Sequence, residues 1–394
     1  MKAIKGAVLF DGVSEEVIQD PIILIKGERI EAVGTAATVT IPDDAEILDY
    51  SECFLMPGML DIHVHLTSEG SADPRKSYSD PEAALAFKAA HHAQRTLEAG
   101  FTTLRSMGAK FDIDIKLKKA IAAGFVKGPR ITASGRCITI TGGHGHNGGI
   151  EADGPWEVRK AVRTLLKAGA DVIKVMATGG VLTEGVEPGA PELSLEELQA
   201  AAAEAANAGK RTATHAQGST GIRQAVEAGI DSIEHGCFLD DAIIERMLQK
   251  GTAMVPTLAA PRHILDHGIA GGIPQFAVDK TQDIAAKHLI SFAKAYKAGV
   301  PIGLGTDAGT PFNHHGANAM ELQYMVEAGM SAIDALRAAT STAAAIIGQA
   351  EHVGTLRPGC YADVLAVKGN PLQDVKLLAD KENLAAVMLG GVVV

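Results

Sequence analysis

The 394 residues are 46% hydrophobic and 21% charged, ordinary proportions for a globular protein, and suffice for two average domains or one barrel with an accessory module. The formal net charge of −11 argues against nucleic acid, which needs a basic footprint. No stretch approaches the roughly 18 consecutive apolar residues of a membrane span, and Cys53, Cys137, Cys237 and Cys360 form no CxxC pair, which disfavours a disulfide framework or zinc knuckle.

The chain opens on MKAIKGAVLFDG, a strand and turn without the cleavage pattern of a signal peptide. A reducing, cytoplasmic setting is therefore the expectation. Residues 1–56 read as short strands joined by turns, with GER at 27–29 as a hairpin turn between two β-rich runs. From Met59 the pattern changes to apolar strand, loop and amphipathic helix, repeated. The strand candidates are MLDIHVH, FTTLRSM, RITASGRCIT, DVIKVMAT, RTATHA, DSIEHG, AMVPTL and PIGLGTD. Ser194, with Glu197 three residues on, is a capping box that starts one helix. Glycines close several helices, as in KAGAD, EAGID and KAGV.

Eight strands alternating with helices predict an α/β protein with a parallel (β/α)8 barrel over 57–348. After Gly348 the chain returns to strands, GTLRPGCYADVLAV and NLAAVMLGGVVV. Pairing this tail, 349–394, with residues 1–56 predicts a small β-sandwich built from both termini.

Six residues stand where buried strands should end: His63, His65, Lys174, His215, His235 and Asp307. Polar groups there are costly unless paired or bound to something, and catalytic groups of such barrels sit at the C-terminal ends of the strands. The set predicts a metal cluster at the barrel mouth. His63 and His65, two apart on one strand, share a face and can reach one metal. Lys174 lies among residues that should be buried. Either it snorkels outward past a helix, or burial lowers its pKa until the neutral amine takes up carbon dioxide. The resulting carbamate is an anionic two-oxygen ligand able to bridge two cations. His215 and His235 could each be a core histidine bonded to a carbonyl, but they occupy equivalent points of consecutive βα units. Asp307 is either a helix N-cap or a metal contact that takes a proton from bound water.

Together, HVH, Lys174, His215, His235 and Asp307 in GTDAG resemble the amidohydrolase superfamily over essentially the whole chain. The phrases AGFTTLRSMG, GGHGH, KVMATGG, IEHG and GTLRPGCYADVLAV are similar to its imidazolonepropionase and prolidase-like branch. The resemblance implies that His63, His65 and Asp307 hold one metal and that His215 and His235 hold a second. Carboxylated Lys174 and a hydroxide would bridge the two, with zinc the usual ion. Mononuclear relatives, imidazolonepropionases among them, lack the bridging lysine, so its presence favours the binuclear form. Asp307 is then the catalytic acid–base group, and His144 of the GGHG phrase hydrogen-bonds the scissile carbonyl, with His146 as second choice.

The chain departs from its prolidase-like relatives at Gln217 and Gly218, where they often carry a tyrosine or histidine after the strand-five histidine. Gln217 remains a substrate-binding candidate. So does Arg105, which could meet a substrate carboxylate or pair with an acid inside the barrel. The loop GGVLTEGVEPGAPELS, carrying Glu184, Glu187 and Glu192, could close over the site, offer a carboxylate, or merely connect.

The expected activity is hydrolysis of an amide, in a dipeptide (Xaa-Pro or similar) or N-acyl amino acid, by a metal-bridging hydroxide. The alternatives are a cyclic amide or lactam hydrolase of the imidazolonepropionase or hydantoinase type, and an inactive scaffold. The resemblance also implies a homo-oligomer.

Overall fold

The computed structural model describes residues 1–394, apart from the side chain of Tyr78. The chain divides into two compact units, one of Met1–Asp61, Gln94–Thr103 and Gly316–Val394, the other of Ile62–Ala93 and Leu104–His315. Among the described residues, no helix is long and apolar enough to cross a membrane.

The strands expected from both ends of the chain meet in one mixed sheet. Its order is Val392–Val393, Leu384–Leu389, Val364–Val367, Glu46–Pro57, Lys2–Leu9, Ile22–Lys26 and Arg29–Gly34, with Ile18–Gln19 paired beside Lys2–Leu9. Glu46–Pro57 joins the two ends because it is long enough to serve both. It runs parallel to Lys2–Leu9 and, through Phe54–Pro57, antiparallel to Val364–Val367. The predicted hairpin turn is present: Lys26 pairs with Arg29 around Gly27, whose φ is +61°. Alternation along Ile22–Lys26 sends Ile23 and Ile25 into a core with Ile4, Leu55, Val364 and Met388. Ile22 and Leu24 pack with Ala3 and Val39 on the other face.

The barrel strands are β1 (Met59–Val64), β2 (Phe101–Ser106), β3 (Arg130–Ala133), β4 (Val172–Met176), β5 (Arg211–Ala216), β6 (Ser232–His235) and β7 (Ala253–Val255). The predicted eighth strand is an extended segment, 301–308, bridged in parallel to β7 at Met254–Ile302 and to β1 at Val64–Ala308. The expected third strand, RITASGRCIT, is broken after Ala133. The Asp114 carboxylate accepts the amides of Ser134, which it shares with the Ser106 carbonyl of β2, and of Gly135, and Gly135 turns at φ +67°. The chain resumes at Ile138–Thr139, where Ile138 pairs with Val175 of β4.

The helices are α1 (Glu82–Glu98), α2 (Ile113–Ala122), α3 (Pro155–Ala168), α4 (Leu195–Asn207), α5 (Ser219–Ala228), α6 (Asp241–Lys250), α7 (Ala259–His267) and α8 (Gln275–Ala298), with shorter ones after them. The capping box forms at α4: Ser194 accepts from the Glu197 amide, and the Glu197 carboxylate accepts from the Ser194 amide. The glycines of KAGAD and EAGID, Gly169 and Gly229, are left-handed C-caps of α3 and α5.

Candidate active site

His63, Lys174, His215, His235 and Asp307 are all buried, and with His65 they line one cavity of about 360 Å³. The rings form a continuous chain. Centroid separations run 5.4 Å from His65 to His63, 5.2 Å to His235, 4.6 Å to His215 and 4.3 Å to His144. Two residues reach this point only by leaving regular strand geometry. His235 follows Glu234, and strand alternation would send the two side chains to opposite faces. A φ of +71° at His235 releases it from that alternation, and Asp307 turns likewise at +61°. Left-handed non-glycine residues are uncommon and gather at functional sites.

Each imidazole has one nitrogen engaged outside the cluster. His63 Nδ1 lies 2.6 Å from Glu234 Oε2, and His65 Nδ1 lies 3.4 Å from the Gly108 carbonyl. His215 Nε2 is 3.3 Å from the Gly179 carbonyl, and His235 Nδ1 is 2.7 Å from Thr257 Oγ1. A carboxylate or carbonyl oxygen only accepts, so Nδ1 carries the proton in His63 and His65, and their Nε2 atoms present lone pairs. Those two Nε2 atoms lie 3.5 and 3.1 Å from Asp307 Oδ1, which has no aligned hydrogen bond among the described residues. Three lone-pair donors, offered within 4.8 Å of one another, thus converge without protons between them. That arrangement fits a divalent cation, and the engaged nitrogens are the supports that histidine ligands ordinarily have.

The electrostatics agree. Burial, reinforced by neighbouring cations, holds the imidazoles of His63, His215 and His235 well below the ordinary histidine range and therefore neutral. Burial also lowers the Lys174 ammonium to about 8. For Asp307, burial would raise the carboxyl, but nearby His65, His63 and Lys174 outweigh it and keep it ionised.

His144 is in the cavity wall, with Nδ1 2.8 Å from Thr183 Oγ1, and burial pushes its imidazole down to about 3. His146 also lines the cavity, but its Nδ1 is engaged by the Gly143 carbonyl of its own turn at 2.8 Å. Gln217 is 5% exposed, and its Oε1 has no hydrogen-bond partner among the described residues. Arg105 is not among the cavity-lining residues. It is 1% exposed, with its guanidinium on Glu234 at 2.9 and 3.0 Å, so its pairing is with an acid inside the barrel and not with a substrate carboxylate.

The acids of the strand-four loop are engaged too. Glu192 accepts the His144 amide and the Thr139 hydroxyl, while Glu184 pairs with Arg75 at 3.0 Å. Val181 and Leu182 of that loop pack with Ile264 of α7 and Phe276 of α8 to form an apolar wall. Sequence reasoning missed the part played by α8: Thr281, Ile284 and His288 form one helical stripe lining the cavity. It also missed Glu234. A three-to-four-residue spacing in an amphipathic helix reads as core, and a glutamate before a histidine in a strand carries no signal of its own.

A sequence model described as "Amidohydrolase family" matches residues 54–394. Ochratoxinase of Aspergillus niger is 33% identical over 374 residues, covering 86% of this chain and 75% of that protein. A crystal structure of a Xaa-Pro dipeptidase with methionine bound in its active site superposes with a TM-score of 0.92 at 34% identity, over 100% of this chain and 99% of the other. A prolidase complexed with N-methylphosphonate-L-proline superposes at 0.92 with 30% identity, over 100% and 99%.

Proposed function

The chain belongs to the amidohydrolase family, and from that premise we propose that it is a binuclear metal-dependent hydrolase of dipeptides, Xaa-Pro among them, or of N-acyl amino acids. One observation carries the reading: lone pairs of His63, His65 and Asp307 converge in a cavity that also holds Lys174, His215 and His235. His63, His65 and Asp307 would hold one ion and His215 and His235 the other, with carboxylated Lys174 a ligand within reach of both. In carboxylation the neutral Nζ forms a bond to the carbon of carbon dioxide and gives up one proton, which a pKa near 8 permits close to neutrality. When bound, zinc would lower the pKa of coordinated water towards about 7 and polarise a carbonyl.

The remaining tasks belong to the chain's own side chains. Asp307, held ionised, accepts a proton at a carboxylate oxygen and passes it to the departing amine. His144 Nδ1 is paired with the Thr183 hydroxyl, and in the tautomer where that hydroxyl donates, Nε2 carries the proton and donates to the carbonyl oxygen of the scissile amide. Gln217 Oε1 accepts from an N–H of the substrate. The apolar wall of Val181, Leu182 and Ile264 packs against the substrate's side chain or acyl group and keeps water from it. Buried thiols at all four cysteines fit a reducing, cytoplasmic setting, and a homo-oligomer completes the proposal.

The test is a library of dipeptides and N-acyl amino acids, read by release of free amine. We expect turnover that a chelator abolishes and zinc restores. Turnover that resists chelation, or is confined to cyclic ureides and lactams, would overturn the reading.

A further inference from the structure

Behind the cavity lies a network that no step of the proposed reaction uses. Glu234 is fully buried on β6 and receives four polar contacts. Arg105 of β2 donates from one terminal nitrogen to Oε1 at 2.9 Å and to Oε2 at 3.0 Å. The Ser232 hydroxyl donates to Oε1 at 2.6 Å, and His63 Nδ1 donates to Oε2 at 2.6 Å. Arg105 is fixed in turn, with Nε on the Ile62 carbonyl at 2.6 Å and its other terminal nitrogen on Ser232 Oγ at 3.1 Å. Arg105, Ser232, Glu234 and His63 are each at most 1% exposed.

Two adjacent strands and one from across the barrel meet here. β2 neighbours β1, whereas β6 lies between β5 and β7. Ser232 and Glu234 are two apart on β6 and share its inner face. A lone carboxylate at that depth would be strongly disfavoured, and the guanidinium compensates it. Removing Arg105 would leave an uncompensated charge, while removing Glu234 would take away the acceptor shared by one Arg105 terminal nitrogen and His63 Nδ1.

We propose that Arg105 and Glu234 are positioning residues that set the ring orientation of His63 for the metal. With Glu234 Oε2 accepting from Nδ1, the ring is turned so that Nε2 faces the point shared with His65 and Asp307. Arg105 acts one step further back, holding the Glu234 oxygens in place. Ser232 adds a second donor to the oxygen not used by His63.

The inference rests on the metal reading of His63, His65 and Asp307, and its test separates the two. Zinc affinity is measured by competition with a chromophoric chelator, and site geometry by the visible spectrum of the cobalt-loaded protein. Thermal unfolding of the metal-free form controls for folding. In Glu234→Gln, zinc affinity should fall about 10- to 100-fold with an altered cobalt spectrum, while the metal-free protein still unfolds cooperatively. Arg105→Lys keeps the charge but loses the fork, and should show a smaller loss in the same direction. The double variant R105M/E234Q buries no charge and keeps the test open should a single variant fail to fold; it should show at least the loss of Glu234→Gln. Unchanged affinity and spectrum in Glu234→Gln or the double variant would overturn the inference while leaving the metal reading standing. An unaltered chain that binds no zinc would overturn both.

Discussion

In the terminal sheet, the buried face running from Ile22–Lys26 to Leu384–Leu389 is made of Ile4, Ile23, Ile25, Leu55, Val364 and Met388. On β1, β4, β5 and β6, burial falls instead on His63, Lys174, His215, Glu234 and His235. The first interior contributes roughly 25 cal/mol per Å² of apolar surface removed from water. The second must desolvate ionisable groups, which opposes folding unless partners or bound ions compensate. Stability and reactivity thus draw on different parts of one chain, and substitutions in the two interiors should fail in different ways.

The sharpest separation should come from Asp307→Asn. Loss of the general base alone should lower kcat/KM about a thousandfold, with thermal unfolding of the metal-free protein little changed. An amine-release assay retaining a tenth of the activity would break the comparison. In the sheet, Leu55→Ala should destabilise by roughly 2–5 kcal/mol in urea unfolding, while the protein that remains folded keeps its zinc content. Loss of zinc from folded Leu55→Ala would show that the two interiors are not independent.

A smaller effect on stability is expected at Lys174, and its sign runs against ordinary core truncation. Burial lowers this ammonium from 10.5 to about 8, so the unfolded chain keeps a proton that the folded chain releases. Between those values the stability of the metal-free protein should rise with pH, and below about 8 the full penalty applies. Lys174→Met should therefore stabilise the metal-free protein at pH 7 by about 1–3 kcal/mol, abolish the pH-dependent rise and eliminate activity. Denaturant titrations at pH 7 and 10 check this, and a less stable variant would sink it.

Much of the candidate site is legible in the sequence because it follows local rules. Apolar β-branched runs mark β1, β4, β5 and β6; His63, His215 and His235 fall at or next to the strand ends, while Lys174 sits in the middle of β4. His63 and His65 share a face by alternation alone. Where alternation fails, the pattern misleads: Glu234 and His235 should face opposite ways, and the left-handed turn at His235 is set by its surroundings and not by its neighbours in sequence. Arg105 illustrates the same limit. Its place at the end of an apolar run suits a substrate contact as well as an internal pair, and only Glu234, on another strand, decides between them.

By itself, then, the sequence determined the strand–helix alternation, the helix caps and the six candidate site residues, since periodicity, capping and side-chain alternation act within a few residues. The tertiary structure decided which partner each group meets. The acceptor for His63 lies 171 residues away in Glu234, and the cavity wall joins the loop after β4 to α7 and α8. Contacts of that range arise when the barrel closes, through packing and desolvation that bring distant segments to one point, and no local pattern in the chain encodes them.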